Sequence, residues 1–328
     1  MEKPFKLIGV GSPVVDTLAN VNDAFLGAHV PGAKGGMELT DATALVKIIG
    51  ELEGPLVQAP GGSAGNTAVG VANLGLPTTF LGKLGNDATA AFYRDSFKAI
   101  GGDIERFKTG DVPNGHCLSL VTPDSQRTMR TDLGAAMTLS PDEVTPEDFA
   151  GVQHAHIEGY LLFNRDLLYR VLECAKLAGC TVSLDLASFE VVGAAKDILA
   201  DILRDSVDIV FANEDEAGAF TDMGEDYMGM AAHLATLCDI AAVKLGKNGS
   251  LVQQGDHLHR IEPLIVDNAI DTTGAGDLWA AGFLYGWLTD KDLPTCGRYG
   301  SVLGAEVVQV MGGAIPADRW EVIRGQLA

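Results

Sequence analysis

Seven residues late in the chain, DTTGAGD from Asp271 to Asp277, combine types that can carry out phosphoryl transfer. Gly274, Ala275 and Gly276 lead into LWAAGFLYG, an apolar run with helical spacing, so their N–H groups gather at a helix N-terminus that favours an anion. A carboxylate, Asp277, follows at once. Its charge repels any anion held there unless it has a task of its own. A hydroxyl attacking phosphorus must shed a proton, and a helix start places Asp277 to take it while the N–H groups stabilise the phosphoryl oxygens. The plainer reading is a first-turn acid that complements the helix dipole, with glycines serving only the turn.

Other constellations carry less. GVGSPV, from Gly9 to Val14, has Val14 where a dinucleotide-binding turn needs its third glycine, so it reads as a tight turn. No GxxxxGK[ST] is present, and GKNGS lacks its spacing. His154 with His156, and His257 with His259, alternate as strand neighbours but have no companion ligands at metal-site spacing, so they read as strand residues.

The elements that position these residues are legible as alternation. Short apolar or β-branched runs recur near 6–11, 78–85, 154–162, 181–188, 208–214 and 240–249, with amphipathic runs between several of them, such as 165–179 and EDFAGVQ. This predicts a parallel sheet with helices on both faces, and chemistry in the loops after Gly11, Gly85, Ser188, Glu214 and Gly246. Residues ~12–60 and ~103–133 break the pattern with β-like pieces, VVDTLANV and a hairpin around Pro123, Asp124 and Ser125. They predict a smaller second sheet, a natural lid over a reactive phosphate.

Composition narrows the partners. The 328 residues are 47% hydrophobic and 20% charged, with 40 glycines, which excludes disorder and allows a sizeable core. A net charge of −21, from 23 basic and 44 acidic residues, repels nucleic acid polymers and anionic membranes, so a phosphorylated small ligand needs gathered donors and a metal ion. Five cysteines without CxxC spacing argue against a disulfide framework or zinc site and for a reducing cytoplasm. The N-terminal apolar run is too short for a signal peptide, and the uncharged stretch Gly54–Gly82 is broken by glycine and proline, so no membrane span is expected.

GGSAGNTAVGVANLG, from Gly61 to Gly75, precedes DTTGAGD by about 200 residues. Together the two stretches resemble the signature motifs of the PfkB (ribokinase-like) family of small-molecule kinases, and the similarity spans essentially the whole chain. The resemblance implies a doubly wound, mainly parallel α/β core over residues 1–11, 61–102 and 134–328, with a discontinuous β-sheet lid over 12–60 and 103–133. It implies an ATP- and Mg²⁺-dependent transfer of the γ-phosphoryl group to a hydroxyl of a nucleoside or sugar. Asp277 matches the family's catalytic base, and Gly274, Ala275 and Gly276 its anion hole. Asp16, Gly62 and Asn66 match contacts to acceptor hydroxyls, and Arg127 in the lid hairpin reads equally as a residue that reaches phosphates on closure and as an exposed hairpin arginine. Asn213 and Glu216 in NEDE match a motif of the magnesium and phosphate environment, while also reading as an N-cap with an acidic first turn. Lys244, Gly246 and Gly249 match the nucleotide-binding strand and loop. Asp271 and Thr273 match positions that in many relatives ligate a monovalent cation, K⁺ being the expectation. GSPVVD, PNGHC and QRTMRTDLGAA are more similar to the adenosine-kinase-like branch than to ribokinase itself. Inosine or guanosine, ribose, fructose and 2-keto-3-deoxygluconate stay open as acceptors, as do a non-catalytic nucleoside- or sugar-binding protein on the same fold and a monomer or a homodimer joined through the lid's outer edge.

Overall fold

Side chains alternate across a strand, so a sheet covered on both faces needs strands that are apolar in both registers. The computed structural model, which describes residues 4–124 and 126–327, has this property through its centre. The first part of the chain forms β1 (Phe5–Val10), β2 (Val15–Asn20), α1 (Asp23–His29), β3 (Gly36–Leu39), α2 (Ala42–Gly50) and β4 (Val57–Pro60). It continues with α3 (Ser63–Asn73), β5 (Thr78–Leu81), β6 (Lys83–Leu84), α4 (Ala88–Ala99), β7 (Lys108–Thr109), β8 (His116–Val121) and β9 (Arg127–Asp132). Then follow β10 (Val152–Glu158), α5 (Arg165–Leu177), β11 (Thr181–Asp185), α6 (Phe189–Ser206), β12 (Ile209–Asn213), α7 (Glu214–Thr221) and α8 (Tyr227–Leu234). The chain closes with β13 (Ile240–Lys244), β14 (Ser250–Gln254), β15 (His257–Ile261), α9 (Ala275–Leu288), α10 (Leu293–Val307) and α11 (Arg319–Gln326).

Eight strands make the main sheet in the order β15-β14-β13-β12-β11-β10-β1-β5. All neighbours from β5 to β13 are parallel, and β14 and β15 close one edge as antiparallel strands. Ile8, Val10, Ile157, Val210, Ala212 and Val243 bury one face, in one core with side chains of α5 to α8. Leu7, Phe80, Ile209, Phe211 and Ala242 bury the other, in a second core with side chains of α3 and α9 to α11. The same alternation puts His154, His156 and Glu158 on one face of β10, opposite Thr181, Ser183 and Asp185 of β11. Lys244 of β13 lies opposite Asn213 of β12. The carboxyl ends of the parallel strands therefore carry charged and amide side chains, as expected for the ligand side of such a sheet. The loop that follows is strained at Ala187, a non-glycine at φ 65°.

α9 is apolar on nearly every side because it is enclosed by α3 and α10. Its contact with α10 depends on absent side chains: a Cβ at Gly282 would lie 2.3 Å from the Tyr299 carbonyl oxygen, and one at Gly300 2.7 Å from Trp279.

A separate five-stranded sheet has the order β3-β9-β8-β2-β4. Its β8–β9 hairpin, with Val121 opposite Arg127, turns where the sequence predicts, although Ser125 lies outside the described residues. Two departures from expectation occur in the lid segments. Residues 23–29 and 42–50 are helical, started by Asn22 and Asp41, whose side chains accept from the N–H groups of Phe25 and Ala44. Leu26, Leu45 and Ile48 then cover one face of the small sheet with Ala19, Leu118 and Leu120. Residues 103–110 run along the core instead of joining the small sheet: Asp103 bridges Thr79, and β7 pairs with β6. The amphipathic run EDFAGVQ also stops short of an α-helix, since Pro146–Phe149 form one 3-10 turn. No helix among the described residues is long and apolar enough to cross a membrane.

Candidate active site

Two helix N-termini converge on Asp277. α9 starts at Gly274, whose φ of 69° is the left-handed region that favours glycine, and no side chain caps its first turn. The first-turn N–H groups thus have no intrahelical acceptor. α3 starts at Gly62, φ 85°, where a Cβ would sit 2.2 Å from the Ser12 carbonyl oxygen. From α3's first turns, Ser63 Oγ donates to Asp277 Oδ1 at 2.8 Å and Asn66 Nδ2 donates to Oδ2 at 2.9 Å. Thr67 Oγ1 donates to the Asp277 carbonyl at 3.0 Å, which ties the two helices together. Each carboxylate oxygen keeps lone-pair capacity for an incoming hydroxyl proton. Burial pushes the Asp277 carboxyl up to about 6, Asp185's charge adds to this, and the bonds from Asn66 and Ser63 oppose it.

Lys244 is the cation of this loop. Its Nζ donates to Asp185 Oδ2 at 2.8 Å and lies 3.0 Å from where a Cβ on Gly276 would be, so glycine there leaves room for the ammonium. Burial raises the Asp185 carboxyl, but Lys244 outweighs that and holds it below the usual range. Burial likewise disfavours the ammonium, and Asp185 and Glu216 keep it charged. Asn213 and Glu216 form a reciprocal cap: Glu216 N–H donates to Asn213 Oδ1 at 2.8 Å, and Asn213 N–H to Glu216 Oε2 at 2.7 Å. Burial pushes Glu216 up to about 7, aided by the charges of Asp185 and Asp277.

Asp16 comes from the small sheet. A Cβ at Gly61 would meet its carboxylate at 2.4 Å, so the Gly61–Gly62 pair lets Asp16 approach the start of α3. Burial pushes Asp16 up to about 7; Arg127 opposes this, while Asp277 and Asp271 reinforce it. Arg127 Nε lies 3.3 Å from Asp271 Oδ1, and a cleft of about 460 Å³ opens beside them, lined also by Met129 and Ile270. Asp271 further accepts from the Thr273 N–H and hydroxyl at 2.9 and 2.7 Å, and from the Gly312 N–H at 2.7 Å. These partners are all hydrogen-bond donors, and the guanidinium already supplies the positive charge. The donor set does not fit a monovalent cation at Asp271 and Thr273 unless Arg127 leaves.

Gly246 and Gly249 lie in the β13–β14 turn at φ 51° and 86°, and a Cβ on Gly249 would overlap the Ile261 carbonyl oxygen at 2.1 Å. Three side chains of the site were not singled out by sequence: Ser63, Asp185 and Glu158. Glu158 is buried, accepts from the Ser12 N–H at 2.9 Å and the Ala64 N–H at 3.4 Å, and so joins the turn after β1 to the start of α3. Burial pushes it up to about 7. Its signal was present in HAHIEG, where strand alternation puts Glu158 on the face of the two histidines.

The model of the pfkB family carbohydrate kinases matches residues 40–320, and the chain belongs to that family. A solved adenosine kinase from Sinorhizobium meliloti is 32% identical, with a TM-score of 0.88 over 99% of this chain and 100% of that one. A ribokinase of Arabidopsis thaliana is 29% identical over 80% of this chain and 71% of its own length. An adenosine kinase of Saccharomyces cerevisiae is 26% identical over 95% of this chain and 97% of its own. A ribokinase-like kinase fold acting on a sugar or nucleoside is thereby established as the class.

Proposed function

We propose that the chain transfers the γ-phosphoryl group of ATP to a primary hydroxyl of a nucleoside. The observation that carries the reaction is the convergence of α3 and α9 on Asp277, a carboxylate held by Ser63 and Asn66 beside uncapped N–H groups. In the proposed step the acceptor oxygen bonds to the γ-phosphorus, the bridging P–O bond to ADP breaks, and Asp277 takes the hydroxyl proton. The N–H groups of Gly276 and Asp277, with Lys244 beside Gly276, stabilise the phosphoryl oxygens as charge shifts. Asp16, Gly62 and Asn66 orient the acceptor, the turn of Gly246 and Gly249 takes part of the nucleotide, and Arg127 reaches phosphate by leaving Asp271.

The charge balance fits Mg²⁺: the carboxylates of Asp185, Glu216 and Asp277 face a single ammonium, Lys244. Asp185 and Glu216 are already engaged by Lys244 and Asn213, which suits an ion that keeps its waters. Bound with ATP, the ion supplies neutralisation of phosphate charge, and Asp185 and Glu216 would hold its waters.

The likeness to the solved Sinorhizobium meliloti adenosine kinase favours a nucleoside over a free sugar, and three exposed aromatic side chains lie at the carboxyl end of the sheet. Tyr160 and Phe163 follow directly after Glu158 in the turn Gly159–Phe163, and Phe189 opens α6 just after Asp185; they are 39%, 62% and 54% exposed. Incubation with ATP, Mg²⁺ and a panel of nucleosides and sugars tests the reading. Phosphorylated nucleoside is the expected product; product from free sugars alone would refute the acceptor class, and binding without any product would refute the reaction.

A further inference from the structure

A buried polar column beneath α9 takes no part in the transfer as described. Thr181 Oγ1 donates to the Gln153 carbonyl at 3.3 Å, so its oxygen is left to accept from His154 Nδ1–H at 2.9 Å. A neutral imidazole protonated on Nδ1 has a bare Nε2, which accepts the Ser183 hydroxyl at 2.8 Å. Ser183 Oγ, its proton committed, accepts in turn from His156 Nδ1–H at 2.8 Å. His156 Nε2 is then a lone-pair acceptor, fully buried and without a hydrogen-bond partner among the described residues. Burial keeps both rings neutral, holding His154 well below the usual range and His156 at about 4.

Aromatic rings flank the column: the His154 ring meets Trp287 at 5.1 Å and the His156 ring meets Phe211 at 6.0 Å. An unpaired acceptor in such a place lowers stability relative to an aliphatic side chain. The next residue pair along β10 and β11 on this face is Glu158 and Asp185. Asp185 and Lys244, with His154, are the charged and titratable groups that act on His156. Lys244 has three N–H donors and gives one to Asp185.

We propose that His156 is a positioning residue of the phosphoryl-transfer site: locked as its Nδ1–H tautomer by Ser183, it presents Nε2 as a second buried acceptor that reaches the Lys244 ammonium through one water. With Asp185 it fixes that ammonium against the Gly274–Asp277 loop. The kinetic part of the test rests on the proposed kinase reading; the spectroscopic part does not.

Nitrogen-15 spectra of the histidine rings should show His154 and His156 as neutral Nδ1–H tautomers from about pH 5.5 to 9. An Nε2–H form of His156, or its protonation within that range, overturns the proposal. In His156→Leu the carbon-13 Cε resonance of Lys244 should move; an unmoved resonance also overturns it. With the phosphate acceptor found, His156→Leu should lower kcat on the order of tenfold or more at nearly constant acceptor KM. His156→Gln, which keeps an acceptor near Nε2, should recover most of the rate. Equal rates in His156→Leu and wild type refute the role. If His156→Leu fails to fold, Ser183→Ala serves: a mixed His156 tautomer with reduced kcat supports the proposal, and unchanged tautomer and rate refute it. A wild type without transfer to any acceptor, but with the predicted tautomer and a Lys244 shift in His156→Leu, refutes the kinase reading and leaves the positioning intact.

Discussion

In the proposed reaction Asp277 carries two opposing demands, since it is to be ionised to accept a proton yet stands beside the N–H groups that would hold phosphate. The bonds from Ser63 and Asn66 keep the carboxylate ionisable, while burial and Asp185 lift its titration to about 6. A base needs its deprotonated form, so kcat/KM should rise as pH increases through about 6 and level off above it. An acid-limb midpoint near the ordinary carboxylate value, measured in a pH–rate profile, would contradict this environment. At this scale the sequence was informative about local chemistry and silent about partners. Asp277 and the glycines before it are contiguous, so their proximity was readable, and Asn66, which meets Asp277, came from a second contiguous motif. Ser63 and Asp185 were missed because they act across distances of 214 residues to Asp277 and 59 residues to Lys244, a relation that only strand order and helix packing create.

Helices and strands hold these groups through close approaches that leave no room for side chains. Gly282→Ala illustrates the competition: alanine favours the helix by about 1 kcal/mol, but overpacking typically costs about 1–3 kcal/mol or more. The atoms met are the backbone of Tyr299 and Gly300, which cannot rotate aside. The variant should therefore be destabilised on the order of 2 kcal/mol, read by urea unfolding; a more stable variant would show that α10 yields freely. Glu158 gives an element-level test of a different kind. Its folded titration, near 7, lies above the unfolded value of 4.5, so the folded state binds the extra proton between them. Its contribution to stability is full below about pH 4.5 and is lost as pH rises to about 7, on the order of 3 kcal/mol. Glu158→Gln lacks this loss, so wild type should lose stability relative to the variant between pH 5 and 8 in paired denaturation curves. A difference that is flat with pH would remove Glu158 as a buried titrating tie between β1 and α3. The parallel strands were legible from alternating apolar runs, whereas α1 and α2 were obscured because Asn22 and Asp41 start short helices inside a region read as β-rich.

At the scale of the whole molecule, a strongly acidic chain keeps Lys244 and Arg127, the cations assigned to phosphate in the proposed function, paired with Asp185 and Asp271 and spends neither on open surface. Arg127 joins the small sheet to the core through Asp271, a contact between residues 144 positions apart that no spacing rule announces. The sequence did indicate two sheets. It did not reveal that residues 103–110 stay with the core, because a two-residue strand such as β7 leaves almost no periodicity to read. The central claim is that the geometry around Asp277 serves proton removal during phosphoryl transfer. Its most direct test is Asp277→Asn, comparing equilibrium binding of ATP and acceptor with single-turnover transfer. Binding within a few-fold of wild type and a transfer rate lower by on the order of a thousandfold are expected. A variant that transfers phosphate at nearly the wild-type rate would contradict the account.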